Sequence, residues 1–351
     1  MNEHISATSP LELFRPNASV APLDDLYSAY TLGDHDGSWK DTSDNEMLAL
    51  LEVLRSGTPW EQAVYDFTAR TGNHWLRRIL LSPSRALITE TLPFAGGDSV
   101  LDIGSGWGQL SRAIAKQVTQ VVSLEESELR LRLNHAISAQ EQLENITFVH
   151  GSVFSPAFVP KTFNYVVFCG VLEWLLGKDP SDRLERPRTA LRIAYETLKP
   201  GGYILVAIEN RLGLKYLLGE RDDHVQLPYL NQLPLNEASK RYEAVTNNPL
   251  PARTYSRDEL EQLLVDVGFT PDELFLAFPD YKLPQMLIPS TDMQALKRAV
   301  EVIGLPPEHE GIAGHPSYVV DELHYASRAL GGRETIIDLP PSFVIVARKA
   351  P

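Results

Sequence analysis

The sequence predicts an α/β protein built on a mostly parallel, doubly wound sheet, and three stretches carry that reading. The first is Ser99-Val-Leu-Asp-Ile-Gly-Ser-Gly-Trp-Gly-Gln-Leu110. It reads as a short buried strand, Val100 to Ile103, then an acid-and-glycine turn, then a helix from Gln109 to Lys116. The second is the alternation of apolar strand runs with helical patterns that follows it, the signature of strand–helix–strand units. The third is Leu198-Lys-Pro-Gly-Gly202, a helix stop that leads straight into the strand Tyr203–Ile208.

The glycine turn has the pattern Asp-x-Gly-x-Gly-x-Gly, with glycines at 104, 106 and 108. A dinucleotide fingerprint needs its third glycine at 109, and that residue is Gln109. The turn therefore suits a nucleoside-type ligand without a pyrophosphate, which argues against an NAD-dependent oxidoreductase. Seventeen positions after Gly108 comes Glu125, at the tip of the next strand, Gln120–Glu125. A carboxylate there can accept both hydroxyls of a ribose. Glu126 reads as an acid at the start of the following helix, Glu128–Ala139, where negative charge is favoured.

The remaining elements follow in order. Residues 1–43, rich in Pro, Ser, Asp and Gly, read as an extended arm. Residues 44–98 read as a helical cap, with helices at Glu46–Arg55 under an Asp44 cap, after Thr58-Pro59, and over Ser84–Leu92. Strands follow at Ile146–Val149 and Asn164–Cys169, and a helix at Arg188–Leu198. After the strand at 203–208 come the helix Arg257–Val267 and two further strands, Leu274–Ala277 and Ser342–Arg348. The core thus runs over 99–282 and is completed by 341–351. Residues 283–340 form an insertion too long for a hairpin loop, with helices expected at Asp292–Ile303 and Tyr318–Leu330, placed as a lid or an oligomer contact.

Composition narrows the function. The 351 residues carry a net charge of −14, which argues against a nucleic-acid-binding surface. The one cysteine, Cys169, excludes an internal disulfide and a cysteine-based zinc site. It lies in an apolar run with no basic neighbour in sequence, so it reads as a buried small residue and not a nucleophile. No apolar run reaches the ~18 residues of a membrane span, and the N-terminus lacks signal-peptide features. The expectation is a cytoplasmic protein, of open oligomeric state.

The glycine motif, Glu125, and Leu198-Lys-Pro-Gly-Gly202 before a strand resemble the class I S-adenosylmethionine-dependent methyltransferases. Gly170-Val-Leu-Glu-Trp174 is similar to that family's Gly-Val-Leu-Glu-His segment, with Trp174 in place of His. The resemblance implies a Rossmann-like seven-stranded sheet, mostly parallel with an antiparallel last strand, and S-adenosyl-L-methionine as cofactor. It implies cofactor contacts at Asp102, Gly104, Ser105, Gly106, Gly108, Glu125, Ser152, Val153, Cys169 and Gly170. Ser152 stands where the family often has an Asp beside the adenine.

Three further stretches, 209–224, 252–256 and 278–284, resemble bacterial members associated with cell-surface polysaccharide clusters. They lean the acceptor towards a sugar or glycan, with another small hydroxylated molecule or a secondary metabolite as the alternative. Glu209, Asn210 and Arg211, at the end of the fifth strand, are candidates for acceptor binding. His224 is the first candidate for a general base, ahead of His74 and His150. Asp222-Asp223-His224 could hold a cation, but three adjacent residues do not easily face one ion, so no metal is expected. A methyltransferase fold that binds its cofactor without turnover is the competing reading.

Overall fold

The computed structural model describes residues 10–16, 18–29, 41–155, 158–177, 183–217, 219–292, 294–296 and 337–351. The sheet is built from β1 (Ala21–Leu23), β2 (Leu26–Ser28), β3 (Ser99–Ile103), β4 (Gln120–Glu125), β5 (Ile146–His150), β6 (Phe163–Cys169), β7 (Leu198–Glu209), β8 (Phe269–Phe278), β9 (Met286–Pro289) and β10 (Ser342–Lys349). Their spatial order is β1-β2-β5-β4-β3-β6-β7-β10-β8-β9. From β2 to β7 every pair is parallel. β10 lies antiparallel between β7 and β8.

Seven of these strands, β5 to β8 in that spatial order, are the expected sheet. The chain winds outward from β3 through β4 to β5, then restarts on the other side with β6 and β7. That reversal beside β3 is the switch point at which such sheets bind ligands, outside the carboxyl ends of the strands. The hairpin β1–β2 and the edge strand β9 extend the sheet. Three- and four-residue edge strands carry no periodicity, which is why sequence patterning misses them.

Both faces of the sheet are apolar, as parallel strands require. On one face Val166, Phe168, Ile204 and Val206 pack with Leu191 and Ala194 of α6 (Glu185–Thr197) and Leu260 and Leu264 of α9 (Arg257–Val267). On the other, Val100, Val121 and Val167 pack with Leu110 and Ile114 of α4 (Gln109–Ala115) and Leu131 of α5 (Glu128–Gln140).

The cap differs from expectation in its starts. α1 (Asp44–Arg55) is capped by Ser43, whose hydroxyl accepts from the Glu46 amide while the Glu46 carboxylate accepts from the Ser43 amide. Asp44 is then the first helical residue. After α2 (Trp60–Thr71), the third helix is α3 (His74–Leu81), and Pro83–Thr91 is a 3-10 run. Pro83 disfavours α geometry at Ser82 and so separates the two. Leu50, Leu54, Val64 and Phe67 of the cap bury Trp107 of the glycine turn together with Leu133 and Ile137 of α5.

The helix α8 (Leu235–Thr246) also escaped the pattern, because only Ala238 of it is buried. Leu198-Lys-Pro-Gly-Gly202 does end α6, but the pairing of β7 with β6 already begins at Leu198 opposite Phe163, and the register shifts before Tyr203 meets Tyr165. The helices expected at 292–303 and 318–330 lie almost wholly outside the described residues. Among the described residues no helix is long and apolar enough to cross a membrane.

Candidate functional site

The glycine turn follows β3 directly. Gly104, Gly106 and Gly108 all have positive φ, at 65°, 56° and 79°. Gly106 faces open space: a Cβ there would meet nothing within 4 Å. Its amide donates to Glu125 Oε2 at 2.8 Å. A Cβ on Gly108 would instead strike the Asn134 amide, so that glycine serves packing beneath α4.

Asp102 does not face a ligand either. It is buried, and its Oδ2 accepts from the Ser111 hydroxyl at 2.6 Å, which braces the turn against α4. Burial pushes its carboxyl up to about 6, against the opposing pull of the Ser111 bond and Arg85. Ser105 is held by its own backbone, through its amide to Leu124 O at 3.0 Å, and by the Ser123 hydroxyl at 2.7 Å.

Glu125 ends β4, where the sequence spacing put it. Its carboxylate takes the Gly106 amide on Oε2 and the Ser127 amide on Oε1 at 2.9 Å, with Arg130 at 3.8 Å. Burial raises its pKa, opposed by Arg130 and the two amides. Two oxygens offer about four acceptor positions, so capacity remains for hydroxyl donors. Arg130 and Trp107 both bond Asp41, at 3.2 and 2.8 Å, tying the start of the cap to this corner.

Ser152 and Val153 lie buried just past β5. At the end of β6, burial pushes the Cys169 thiol up to about 11, so it is neutral and no nucleophile. Arg85, from the 3-10 run, donates to its Sγ at 3.4 Å. Arg85 is a residue that sequence reading passed over. Burial would lower its pKa, but Cys169, Tyr281 and Asp102 outweigh that. Among the described residues no carboxylate lies within ion-pair distance of it. Gly170 has φ of 73°, and a Cβ there would meet the Tyr281 hydroxyl at 2.5 Å, so only glycine lets Tyr281 close over the end of β6.

A second group of side chains gathers near Tyr281. Glu173, in the 3-10 turn Leu172–Trp174, is 1% exposed, and Glu209, the last residue of β7, is fully buried. His224 comes from the loop after α7 (Leu214–Leu217). Its Nε2 lies 3.6 Å from Glu173 Oε1 and 3.6 Å from Glu209 Oε2. Its Nδ1 lies 3.5 Å from Asp222 Oδ1, and that oxygen accepts from the His224 and Val225 amides. Lys282 donates to Glu209 Oε1 and, at 3.2 Å, to Asp223, which also takes Lys215 at 3.1 Å.

The electrostatics revise one expectation. Burial alone would lower the His224 pKa, but Glu209, Asp222 and Glu173 raise it well above the ordinary value. Without a competing cation the ring is an imidazolium at neutral pH, and an imidazolium is no general base. Asn210 and Arg211 are corrected more simply. The Asn210 amide donates to the carbonyls of Asp338 and Pro340 at 2.7 and 2.8 Å, which clamps the loop before β10. Arg211 is spent on Glu259 at 2.5 Å and Asn231 O at 2.9 Å. Both hold the fold, and of the three only Glu209 joins the group around His224. His74 pairs with Arg77 on the surface, and His150 bonds Glu126 O at 3.1 Å, so neither joins the group.

Comparisons with known proteins give a family match and several relatives. Residues 95–252 match a family model described as a methyltransferase domain. The ubiquinone biosynthesis O-methyltransferase of Idiomarina loihiensis is 30% identical over 125 residues, which are 35% of this chain and 47% of that enzyme. Phosphoethanolamine N-methyltransferase 1 of Triticum aestivum is 26% identical over 149 residues, 42% of this chain and 28% of that one. A solved S-adenosylmethionine-dependent methyltransferase from Mesorhizobium loti shares 15% identity at a TM-score of 0.46, covering 77% of this chain and 100% of that one. The chain spans less than half the length of these two curated relatives. The family match covers residues 95–252, a little under half of the chain, and is to a methyltransferase domain. The cofactor of this domain is S-adenosyl-L-methionine.

Proposed function

We propose that the protein transfers a methyl group from S-adenosyl-L-methionine to a hydroxyl of a small polar acceptor, with a sugar or glycan as the first class to try. The observation that carries this reading is the buried acid–imidazole group of Glu173, Glu209 and His224. It lies at the ends of β6 and β7, on the same edge of the sheet as the glycine turn, with Tyr281 close to Gly170 and to Glu209 and Glu173.

The residues present fit the cofactor. Glu125 retains acceptor capacity for ribose hydroxyls, and Gly106 leaves the space above the turn clear. Arg85, a half-buried cation without a carboxylate partner among the described residues, suits the carboxylate of the amino-acid portion. Ser152 and Val153 stand where the adenine edge would meet backbone groups. Asp102 and Gly108 support the turn from behind.

The cofactor, when bound, supplies a methyl group already activated on a sulfonium. The chain has to align an acceptor oxygen in line with it, exclude water and receive a proton. Glu173 and Glu209 can accept hydrogen bonds from an acceptor hydroxyl and take its proton. His224, held as an imidazolium, can donate a hydrogen bond and orient the acceptor. A second reading, methylation of an amine, is favoured by the local charge: among the described residues here, five carboxylates face two lysines and one imidazole.

The test is formation of S-adenosylhomocysteine with a panel of nucleotide sugars, free sugars, catechols and phosphorylated amines. Turnover with a hydroxylated acceptor supports the reading. Turnover confined to amines moves it to the second reading. Cofactor binding with no turnover on any acceptor class contradicts both and leaves a binding protein.

A further inference from the structure

Three side chains from distant parts of the chain meet at one point. Glu173 follows β6, Glu209 ends β7, and His224 lies in the loop after α7. One donor atom from each lies within 4.8 Å of the other two. The arrangement is unfinished as it stands. Both oxygens of Glu173 and Oε2 of Glu209 are buried without a hydrogen-bond partner. Buried carboxylate oxygens in that condition are costly and call for a counter-charge.

His224 is oriented to help supply one. Asp222 is fixed by two backbone amides, and its Oδ1 sits 3.5 Å from Nδ1, near enough to steer the ring although Nδ1 itself makes no hydrogen bond. A carboxylate on one ring nitrogen aims the lone pair of the other, and that pairing is the usual outer support of a metal-bound histidine. Here the other nitrogen, Nε2, points between Glu173 Oε1 and Glu209 Oε2, at 3.6 Å from each. At ordinary metal–ligand lengths, the ligand-to-ligand edge of a tetrahedral site is about 3.4 Å. Lys282 occupies only the far oxygen of Glu209, and its charge is shared with Asp223 and Asp280. The near oxygen of Glu209 is left to the group.

We propose that Glu173, Glu209 and His224 form a binding site for one divalent transition-metal ion. Two carboxylates and one imidazole suit Mn2+, Fe2+ or Zn2+ ahead of Ca2+, which takes six to eight oxygens, and ahead of Mg2+, which keeps most of its water. Three protein ligands leave at least one position open. On the methyl-transfer reading, that position faces the acceptor, and a hydroxyl bound there would be acidified by the ion. The site itself stands apart from that reading, because binding is tested without turnover.

The alternative occupant of the same point is a proton, carried by His224 as a bridge between the two carboxylates. The experiment separates the two. Untagged full-length protein labelled with 15N-histidine is stripped with a chelator and titrated with Zn2+, with the ring nitrogens followed by NMR. The expected result is that one of the nine histidines loses its Nε2 proton and takes a metal-bound shift at one equivalent. In parallel, Mn2+ binding is followed by paramagnetic resonance. E173Q and H224A should weaken it at least tenfold, and D222N by about tenfold through lost orientation.

Trp174 gives a third reading, since its ring lies edge-on to His224 at 4.9 Å. Mn2+ should quench its fluorescence, and W174F should lose the quench while keeping the binding seen by resonance. If Zn2+ leaves every histidine unchanged, the proton is the occupant and the proposal falls. It also falls if Mn2+ binds E173Q and H224A as tightly as the parent protein. Should those variants fail to fold, the NMR titration of the parent protein decides alone.

Discussion

The two halves of the crevice are built on different physical terms. On the β3–β4 side, backbone does most of the work: positive-φ glycines, amides aimed at Glu125, and a turn braced from behind by Asp102 and Ser111. On the β6–β7 side, charged side chains do it: Glu173, Glu209 and His224 converge from three separate segments and are buried together. A backbone cradle recognises a ligand common to many proteins and is written in adjacent residues. A cluster of side chains can be re-specified one residue at a time, and it is where an acceptor preference would reside.

Substitutions on the two sides should therefore have separable effects. The largest is expected for Gly106→Arg, which fills the open face of the turn and forces a left-handed backbone on a non-glycine residue. Affinity for S-adenosylhomocysteine should drop by about a thousandfold, roughly 4 kcal/mol, with circular dichroism unchanged. Retained affinity would mean the turn is not the cofactor cradle.

Asp102 should show itself in stability. Its native pKa of about 6 lies above the unfolded value, so the native state binds more proton. The stability it contributes is complete below about pH 4 and is lost as pH rises through 6, about 3 kcal/mol at neutral pH. Urea unfolding of Asp102→Asn against the parent protein from pH 4.5 to 7.5 should show the variant gaining relative stability across that window. A parallel pair of curves would contradict it.

Glu125→Gln keeps the shape and removes the charge, and calorimetry should find cofactor affinity lower by about ten- to a hundredfold, in line with a charged hydrogen bond. Arg85→Met should weaken S-adenosylhomocysteine by about tenfold yet leave methylthioadenosine, which lacks the carboxylate, unaffected. Equal loss for both ligands would make Arg85 merely structural. On the β6–β7 side, His224→Ala should change cofactor affinity by less than about twofold while turnover falls by about tenfold or more. If cofactor affinity falls with turnover, the two halves are not separable.

The contrast also explains what sequence reading reached. The glycine turn, Glu125 and the strand–helix alternation were legible because they depend on spacing within a few residues. Arg85 was not, because it reaches Cys169 from 84 positions away and nothing local distinguishes it from a surface arginine. Glu209 joins the group around His224, but its neighbours Asn210 and Arg211 are bonded to Asp338, Pro340 and Glu259, since adjacent residues at a strand end diverge. Within the run Asp222-Asp223-His224, Asp223 and His224 each meet carboxylates from other segments. His224 combines with Glu173 and Glu209, a set that exists only after the strands are in register. The edge strands and α8 were too short or too polar to leave a pattern.

The central claim is that the glycine turn and Glu125 hold S-adenosyl-L-methionine. Isothermal titration of S-adenosylhomocysteine and of NAD into the full-length protein tests it most directly. The expected result is one S-adenosylhomocysteine per chain, lost in Gly106→Arg, with no heat from NAD. Saturable binding of NAD together with none of S-adenosylhomocysteine would contradict it.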